Sequence, residues 1–365
     1  MDNTINQEIT KPFLPDNDNG YCKTIKVDLL DRGFRDIDIK VPPKPKEKHQ
    51  IEMWDVINQF ETGSWDSSRK GLDTGFPGIN KAFDGGLKAG FIVIAAESNI
   101  GKTAFISQLA NQIVNNNQEV YVMDFSLDDP MPDKLSRIVS CDSKIPINAV
   151  KSPLNYTEYP LMLARRIIGL NRLRSITDKY RAYDATFSTD IEKIEEEVVR
   201  IKVELDSQGS NKQIVVFIDN FHDLTSRDHP NYQDKQKYDY LAQACADLAI
   251  KYDIPVVCSA ELRKINGTNR PTRDDIREAV KIKYEAKAIL LCHNDVHSKG
   301  EAANVFFNRK DKYGQKQPIY EVHFAKNKFS DYKGRLFYES YPEMARMEEV
   351  DEQTSKLYQT TITGN

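Results

Sequence analysis

The stretch FIVIAAESNIGKTAFISQLANQIV, Phe91 to Val114, joins two hydrophobic periods through a polar turn. Phe91 to Ala96 is a continuous apolar run of strand length. From Thr103 to Asn115, Phe105, Ile106, Leu109, Ile113 and Val114 recur at helical spacing. The turn between them, AESNIGKT (Ala96 to Thr103), has the phosphate-loop pattern GxxxxGK[ST], with Ala96 in place of the first glycine. The residue types suit that chemistry. Backbone N–H groups of Ser98, Asn99, Ile100, Gly101, Lys102 and Thr103 can wrap a triphosphate, and the helix N-terminus favours its negative charge. Gly101 lets the backbone approach closely. Lys102 reaches the β- and γ-phosphates, and the Thr103 hydroxyl is a ligand for Mg2+. A chance GKT in a loop is the bland alternative, and the strand–loop–helix context argues against it.

Working outward, Val120 to Phe125, Ile214 to Ile218, Ile254 to Ser259 and Ala288 to Cys292 are four more apolar runs, with helical stretches between them. Such runs predict an α/β fold with a largely parallel sheet covered on both faces. Ile319 to Ala325 and Arg335 to Tyr338 follow with short connections and predict antiparallel strands at the C-terminal edge of the sheet. Asp190 to Leu205 reads as a charged amphipathic helix with a solvated face. Asp219 ends the run IVVFIDN, at the strand edge where ligands bind in open α/β sheets. It fits the Walker-B role of holding Mg2+ through water.

The chain has 365 residues, with 51 basic and 55 acidic side chains and a formal net charge of −4. This excludes a uniformly basic binder and leaves room for a local basic stripe. No apolar run approaches the roughly 18 residues of a membrane span. Met1 to Gly20 is polar, without the apolar core of a signal peptide. The five cysteines are scattered with no CxxC pair, so neither a zinc site nor a disulfide framework is expected. A cytoplasmic protein is the expectation. Residues 1–50 read as a short segment ending in a Pro- and Lys-rich linker, VPPKPKEKHQ, with a strand or hairpin within Tyr21 to Val41. Within residues 51–70, Ile51 to Phe60 has helical spacing. That helix packs on its own domain or docks on a neighbouring subunit, and the residues do not choose. Residues 71–345 form the main domain, and the polar tail 346–365 is expected to fray.

The ordered motifs resemble one family. TGFPGINKAFDGGLKAG (Thr74 to Gly90), AAESNIGKT (Ala95 to Thr103), DFSLDD (Asp124 to Asp129), SRIVSCDSKIP (Ser136 to Pro146), IDNFHDL (Ile218 to Leu224), PVVCSAELRK (Pro255 to Lys264), RPTRDDIRE (Arg270 to Glu278) and FAKNK (Phe324 to Lys328) run in the order found in the C-terminal ATPase domain of DnaB-type replicative helicases. These are the hexameric RecA-fold motors of bacteria and their phages. The resemblance implies a RecA-like fold, ATP and Mg2+ as cofactors, single-stranded DNA as partner, and a homo-oligomeric ring. A primase or a helicase loader is a further candidate partner.

The family's roles carry over by position. Its catalytic glutamate falls on Asp128, one methylene shorter, as general base. Its γ-phosphate-sensing glutamine falls on His222. The glutamine ending the next strand falls on Glu261, in the nucleotide site. The trans-acting Lys and Arg fall on Lys326 and Lys328, the latter without the arginine fork. Lys102, Thr103 and Asp219 are intact.

In the family, the loop before the fifth strand lines the DNA channel. Here it matches DDIREAVKIKYEA, Asp274 to Ala286. From Arg263 to Lys287 there are eight basic and four acidic residues, a local charge of 8 − 4 = +4. Ordinary surface charge is the bland reading, and the position favours a phosphate-tracking groove. Arg277, Glu278, Lys281 and Lys283 fall in that segment. Arg227, in the loop Thr225 to Tyr240, is a further DNA-contact candidate. The resemblance thus implies an ATP-dependent DNA helicase or translocase of replication. Two alternatives stand beside it: a nucleotide-gated assembly factor with weak hydrolysis, and another RecA-fold recombination ATPase.

Overall fold

The computed structural model describes residues 22–29, 33–40, 53–62, 71–263, 270–277, 280–307 and 315–364. The polar start and the Pro-rich linker expected at 41–50 lie outside them. The chain divides into two units, Met1–Arg69 and Lys70–Asn365. In the first, β1 (Cys22–Leu29) and β2 (Gly33–Lys40) form an antiparallel hairpin with Leu29 opposite Gly33. Helix α1 (Met53–Glu61) has no buried residue, and Met53, Ile57 and Phe60 are exposed.

The second unit is built on one sheet. The five expected strands are β3 (Gly90–Ala96), β4 (Val120–Ser126), β6 (Gln213–Asp219), β7 (Pro255–Glu261) and β8 (Ala288–Asn294). With the short edge strand β5 (Tyr180–Asp184) they lie in the order β8-β3-β7-β6-β4-β5, all parallel. Strand β9 (Phe306–Phe307) pairs with β10 (Gln317–Asn327). Strands β10, β11 (Arg335–Tyr341) and β12 (Arg346–Glu349) extend the β8 side, each antiparallel to its neighbour. The expected antiparallel edge is therefore present.

Both faces of the parallel strands are covered. Phe91, Val93 and Ala95 point into a core completed by Ile194 and Val198 of the helix Ile191–Ser207 and Leu241 and Cys245 of the helix Asp234–Tyr252. Ile92, Ile94 and Ala96 point the other way, against Phe105, Ile106 and Leu109 of the helix Lys102–Asn116. The helices named here are α2 (Lys102–Asn116), α3 (Met131–Ser143), α4 (Pro160–Ser175), α5 (Ile191–Ser207), α6 (Asp234–Tyr252) and α7 (Ile282–Glu285). Asp190 caps α5 by accepting the N–H groups of Glu192 and Lys193.

The tail departs from expectation. Instead of fraying, residues 346–349 form β12, and Glu352–Thr363 form helix α8, capped by Asp351. The Gln108 amide exchanges two 2.8 Å hydrogen bonds with the Met347 backbone. Tyr358 packs on Phe337 and donates its hydroxyl to the Phe306 carbonyl. These tertiary contacts order a segment whose composition reads as polar.

Candidate nucleotide site and channel segment

The loop from Ala96 to Lys102 leaves the C-terminal end of β3 and turns directly into α2. Asn99 and Gly101 have positive φ, and Gly101 at +109° is where a side chain would be strained. Ala96 is the last strand residue and needs no such conformation, so alanine fits where the motif has glycine. Ile100 is buried and pins the middle of the loop. Lys102 and Thr103, in the first turn of α2, are half-buried. The Lys102 ammonium donates to the Ala96 carbonyl at 3.3 Å, folding back over the loop.

Asp219 ends β6 and is 3% exposed. Its Oδ1 accepts a hydrogen bond from the Ser259 hydroxyl on β7, a partner the sequence did not single out. β4 lies beside β6, with Ser126 opposite Asp219. Asp128, two residues beyond Ser126, is exposed at the same edge. Asp223 is also new. Its Oδ2 is sealed from solvent without a hydrogen-bond partner. Burial, then the nearby carboxylates of Asp128, Glu261 and Asp219, push its pKa above the ordinary carboxylate value.

His222 sits at a junction. Its Nδ1 accepts the backbone N–H of Glu261 at 3.2 Å, so Nε2 carries the proton and donates to the Arg277 carbonyl at 3.1 Å. Burial holds its pKa below the usual imidazole value, in keeping with that neutral tautomer. Glu261 lies beside Ala96 in the sheet. Its carboxylate meets the Arg277 guanidinium at 3.2 Å. The residues expected to hold nucleotide and the first part of the segment expected to line a channel are thus adjacent.

Other residues of that segment have partners as well. Lys281 donates its N–H to Asp239 at 3.0 Å, and its ammonium lies 3.4 Å from Gln243 Oε1. Lys283 pairs with Asp274. Glu278 lies outside the described residues. Arg227 is held by Glu196 of α5 at 3.0 Å and by Asp228. Lys326 and Lys328 are not brought to the phosphate loop. Lys326 pairs with Ile289 near the N-terminal end of β8, and Lys328 donates its N–H to Lys287. The Lys326 ammonium donates to the carbonyls of Lys283 and Tyr284 at 2.7 and 2.8 Å.

The donor set suits Mg2+ bound with a nucleotide. No cluster of three or more His, Cys, Asp or Glu suited to a metal occurs among the described residues. Mg2+ characteristically takes one or two protein oxygens plus phosphates and water. Thr103 after the loop and Asp219 at the end of β6, separated from β3 by β7 and with its carboxylate oriented by Ser259, offer that pair.

Comparison with known proteins agrees with this geometry. The profile of the DnaB-like helicase C terminal domain matches residues 71–333. A replicative DNA helicase DnaB from Haemophilus influenzae is 21% identical over 250 residues, covering 67% of this chain and 50% of the relative. A probable replicative DNA helicase from Trieres chinensis is 24% identical over 263 residues, covering 71% and 53%. The chain thus spans about half the length of these relatives. Among solved structures, one isolated ATPase domain superposes with a TM-score of 0.69 at 18% identity, covering 84% of this chain and 100% of that one. A DnaB-like replicative helicase studied with primase gives 0.66 at 18%, covering 85% and 69%. Phosphate loop, strand order and family profile converge, and the chain belongs to the DnaB-like helicase C-terminal domain family.

Proposed function

We propose that this protein is an ATP-dependent DNA helicase or translocase of replication, acting on single-stranded DNA as a homo-oligomeric ring, with six subunits as in the resemblance above. The observation that carries the reading is the placement of the phosphate loop, Asp219 and Asp128 on the C-terminal edge of one sheet, next to the basic segment through Arg277.

In this reading the loop amides from Ser98 to Thr103 hold the triphosphate. Lys102 swings from the Ala96 carbonyl to the β- and γ-phosphates. Thr103 and Asp219 hold Mg2+, which, when bound, neutralises charge on the phosphate oxygens. Asp128 orients the attacking water and accepts its proton. His222 presents its ring between the nucleotide site and Arg277. Lys326 and Lys328 serve the site of a neighbouring subunit, which fits their distance from the phosphate loop of their own chain. Arg277, Lys281 and Lys283 track strand phosphates, with no base recognition. A primase or loader is the candidate protein partner.

The test is steady-state ATP hydrolysis with and without single-stranded DNA, followed by strand displacement, with Lys102→Ala as the inactive control. DNA-stimulated turnover is expected. ATP binding without stimulated turnover would put the nucleotide-gated assembly factor in its place, and the short Asp128 is the feature that favours that second reading.

A further inference from the structure

Three segments distant in sequence meet at the end of β7. Glu261 is its last residue and stands beside Ala96, where the phosphate loop departs. Leu262 donates its N–H to the Ala96 carbonyl at 3.0 Å. From the channel segment, Arg277 approaches Glu261 twice. Its N–H donates to the Glu261 carbonyl at 3.1 Å, and its guanidinium meets the Glu261 carboxylate at 3.2 Å. His222 closes the triangle by accepting from the Glu261 N–H and donating to the Arg277 carbonyl.

We propose that Glu261 is a positioning residue that occupies Arg277 in place of a strand phosphate, so that Glu261 and the strand compete for one guanidinium. The inference rests on reading Asp274 to Ala286 as the strand-contacting segment. A carboxylate and a phosphate present similar oxygen pairs to a guanidinium, so one substitutes for the other without new geometry. The exchange is also easy. The two side chains are 53% and 28% exposed, and an ion pair of that kind holds weakly. The backbone bonds to Glu261 and His222 keep Arg277 in place when the side-chain pair parts. Strand binding therefore moves one side chain and not the loop. The competition is set at the wall shared by the phosphate loop and the channel segment.

The experiment is fluorescence anisotropy of a labelled oligo-dT titrated with the full chain, without nucleotide, across about 50 to 200 mM salt. Wild type, Glu261→Gln, Arg277→Ala and the double variant are compared, each checked by thermal melt. Glu261→Gln keeps the shape and removes the charge. It is expected to bind about two- to five-fold more tightly than wild type. Its salt slope should steepen by about one ion. Arg277→Ala is expected to weaken binding, and the double variant to bind no better than Arg277→Ala. A merely structural Glu261 predicts the opposite sign, because loosening the segment weakens binding. If Glu261→Gln binds no more tightly while Arg277→Ala still weakens, competition is overturned and the channel segment stands. If Arg277→Ala changes neither affinity nor slope, the placement of the strand falls along with the inference. Should Arg277→Ala not fold, Arg277→Gln supplies the same comparison.

Discussion

The ammonium of Lys134 lies 2.7 Å from the carboxylate of Asp124, and neither side chain has any exposed surface. Asp124 is on β4, four residues before Asp128, and its other oxygen accepts the Tyr180 hydroxyl of the neighbouring strand β5. Lys134 comes from α3, which follows the Asp128 turn. The pair thus ties both ends of the segment carrying the proposed general base to the sheet. Removing one partner leaves a buried charge uncompensated, a loss of about 3–5 kcal/mol. Lys134→Met is expected to lower the melting temperature sharply. Restoring neutrality with Asp124→Asn in the same chain should recover much of it. A melt unchanged by Lys134→Met would mean that the pair contributes nothing to the fold.

Asp223 gives a pH-dependent expectation. Its folded pKa is raised by burial and by Asp128, Glu261 and Asp219. A folded carboxyl with a raised pKa binds protons that the unfolded chain releases. Stability from this group is therefore present below the unfolded pKa and is lost as pH rises through the folded value. At neutral pH the ionised group opposes folding. Asp223→Asn should accordingly raise the melting temperature at pH 7.5, and the gain should shrink as the pH falls into the carboxylate range. A gain that persists undiminished through the carboxylate range, or a loss at pH 7.5, would assign Asp223 a different environment.

Much of this was legible in the sequence, for a physical reason. Strands β3, β4, β6, β7 and β8 are buried on both faces, so each reads as a continuous apolar run. Asp219 ends one of those runs, and Lys102 and Thr103 open the helix that follows another, so the candidate groups stand out by position. Strand β5 (YRAYD) is a half-polar edge and gives no such signal. Helix α4 packs Met162, Leu170 and Leu173 only half-buried against Val139 and Val150 and leaves Leu161, Ile167 and Ile168 exposed, so its apolar residues do not single out the core-facing side. Helix α8 depends on Asp351 and on Tyr358 against Phe337. The link between Ser259 and Asp219 depends on how β6 pairs with β7. The commitment of Arg227 to Glu196 joins residues 31 apart and is equally invisible until α5 is placed.

That commitment separates two lysine and arginine variants. The Arg227 guanidinium is already paired with Glu196 and Asp228, whereas among the described residues the Lys281 ammonium meets the neutral amide oxygen of Gln243. A strand phosphate has less to displace at Lys281. Lys281→Ala is expected to weaken binding of single-stranded DNA and to reduce the salt slope by about one. Arg227→Ala should change the slope less. Equal reductions would show that the Glu196 pair opens freely when the strand arrives.

Lys326 supplies the last expectation. Burial, followed by Lys328 and Arg273, lowers its pKa to about 8. Its ammonium is held by two backbone carbonyls, so the geometry is fixed while the charge is not. If Lys326 serves the phosphates of a neighbouring subunit, it does so only when protonated. It is charged below about pH 8 and neutral above it, far earlier than an ordinary lysine. Hydrolysis should therefore decline as pH rises through about 8. In Lys326→Arg the guanidinium stays charged across that range, so the decline should move to higher pH even if the maximal rate is lower. The measurement is turnover against pH at saturating ATP and DNA for both proteins. A wild-type profile that stays flat well past pH 8, or a decline that Lys326→Arg leaves in place, would remove Lys326 from the reaction and leave it as the clasp that holds the Lys283 and Tyr284 carbonyls.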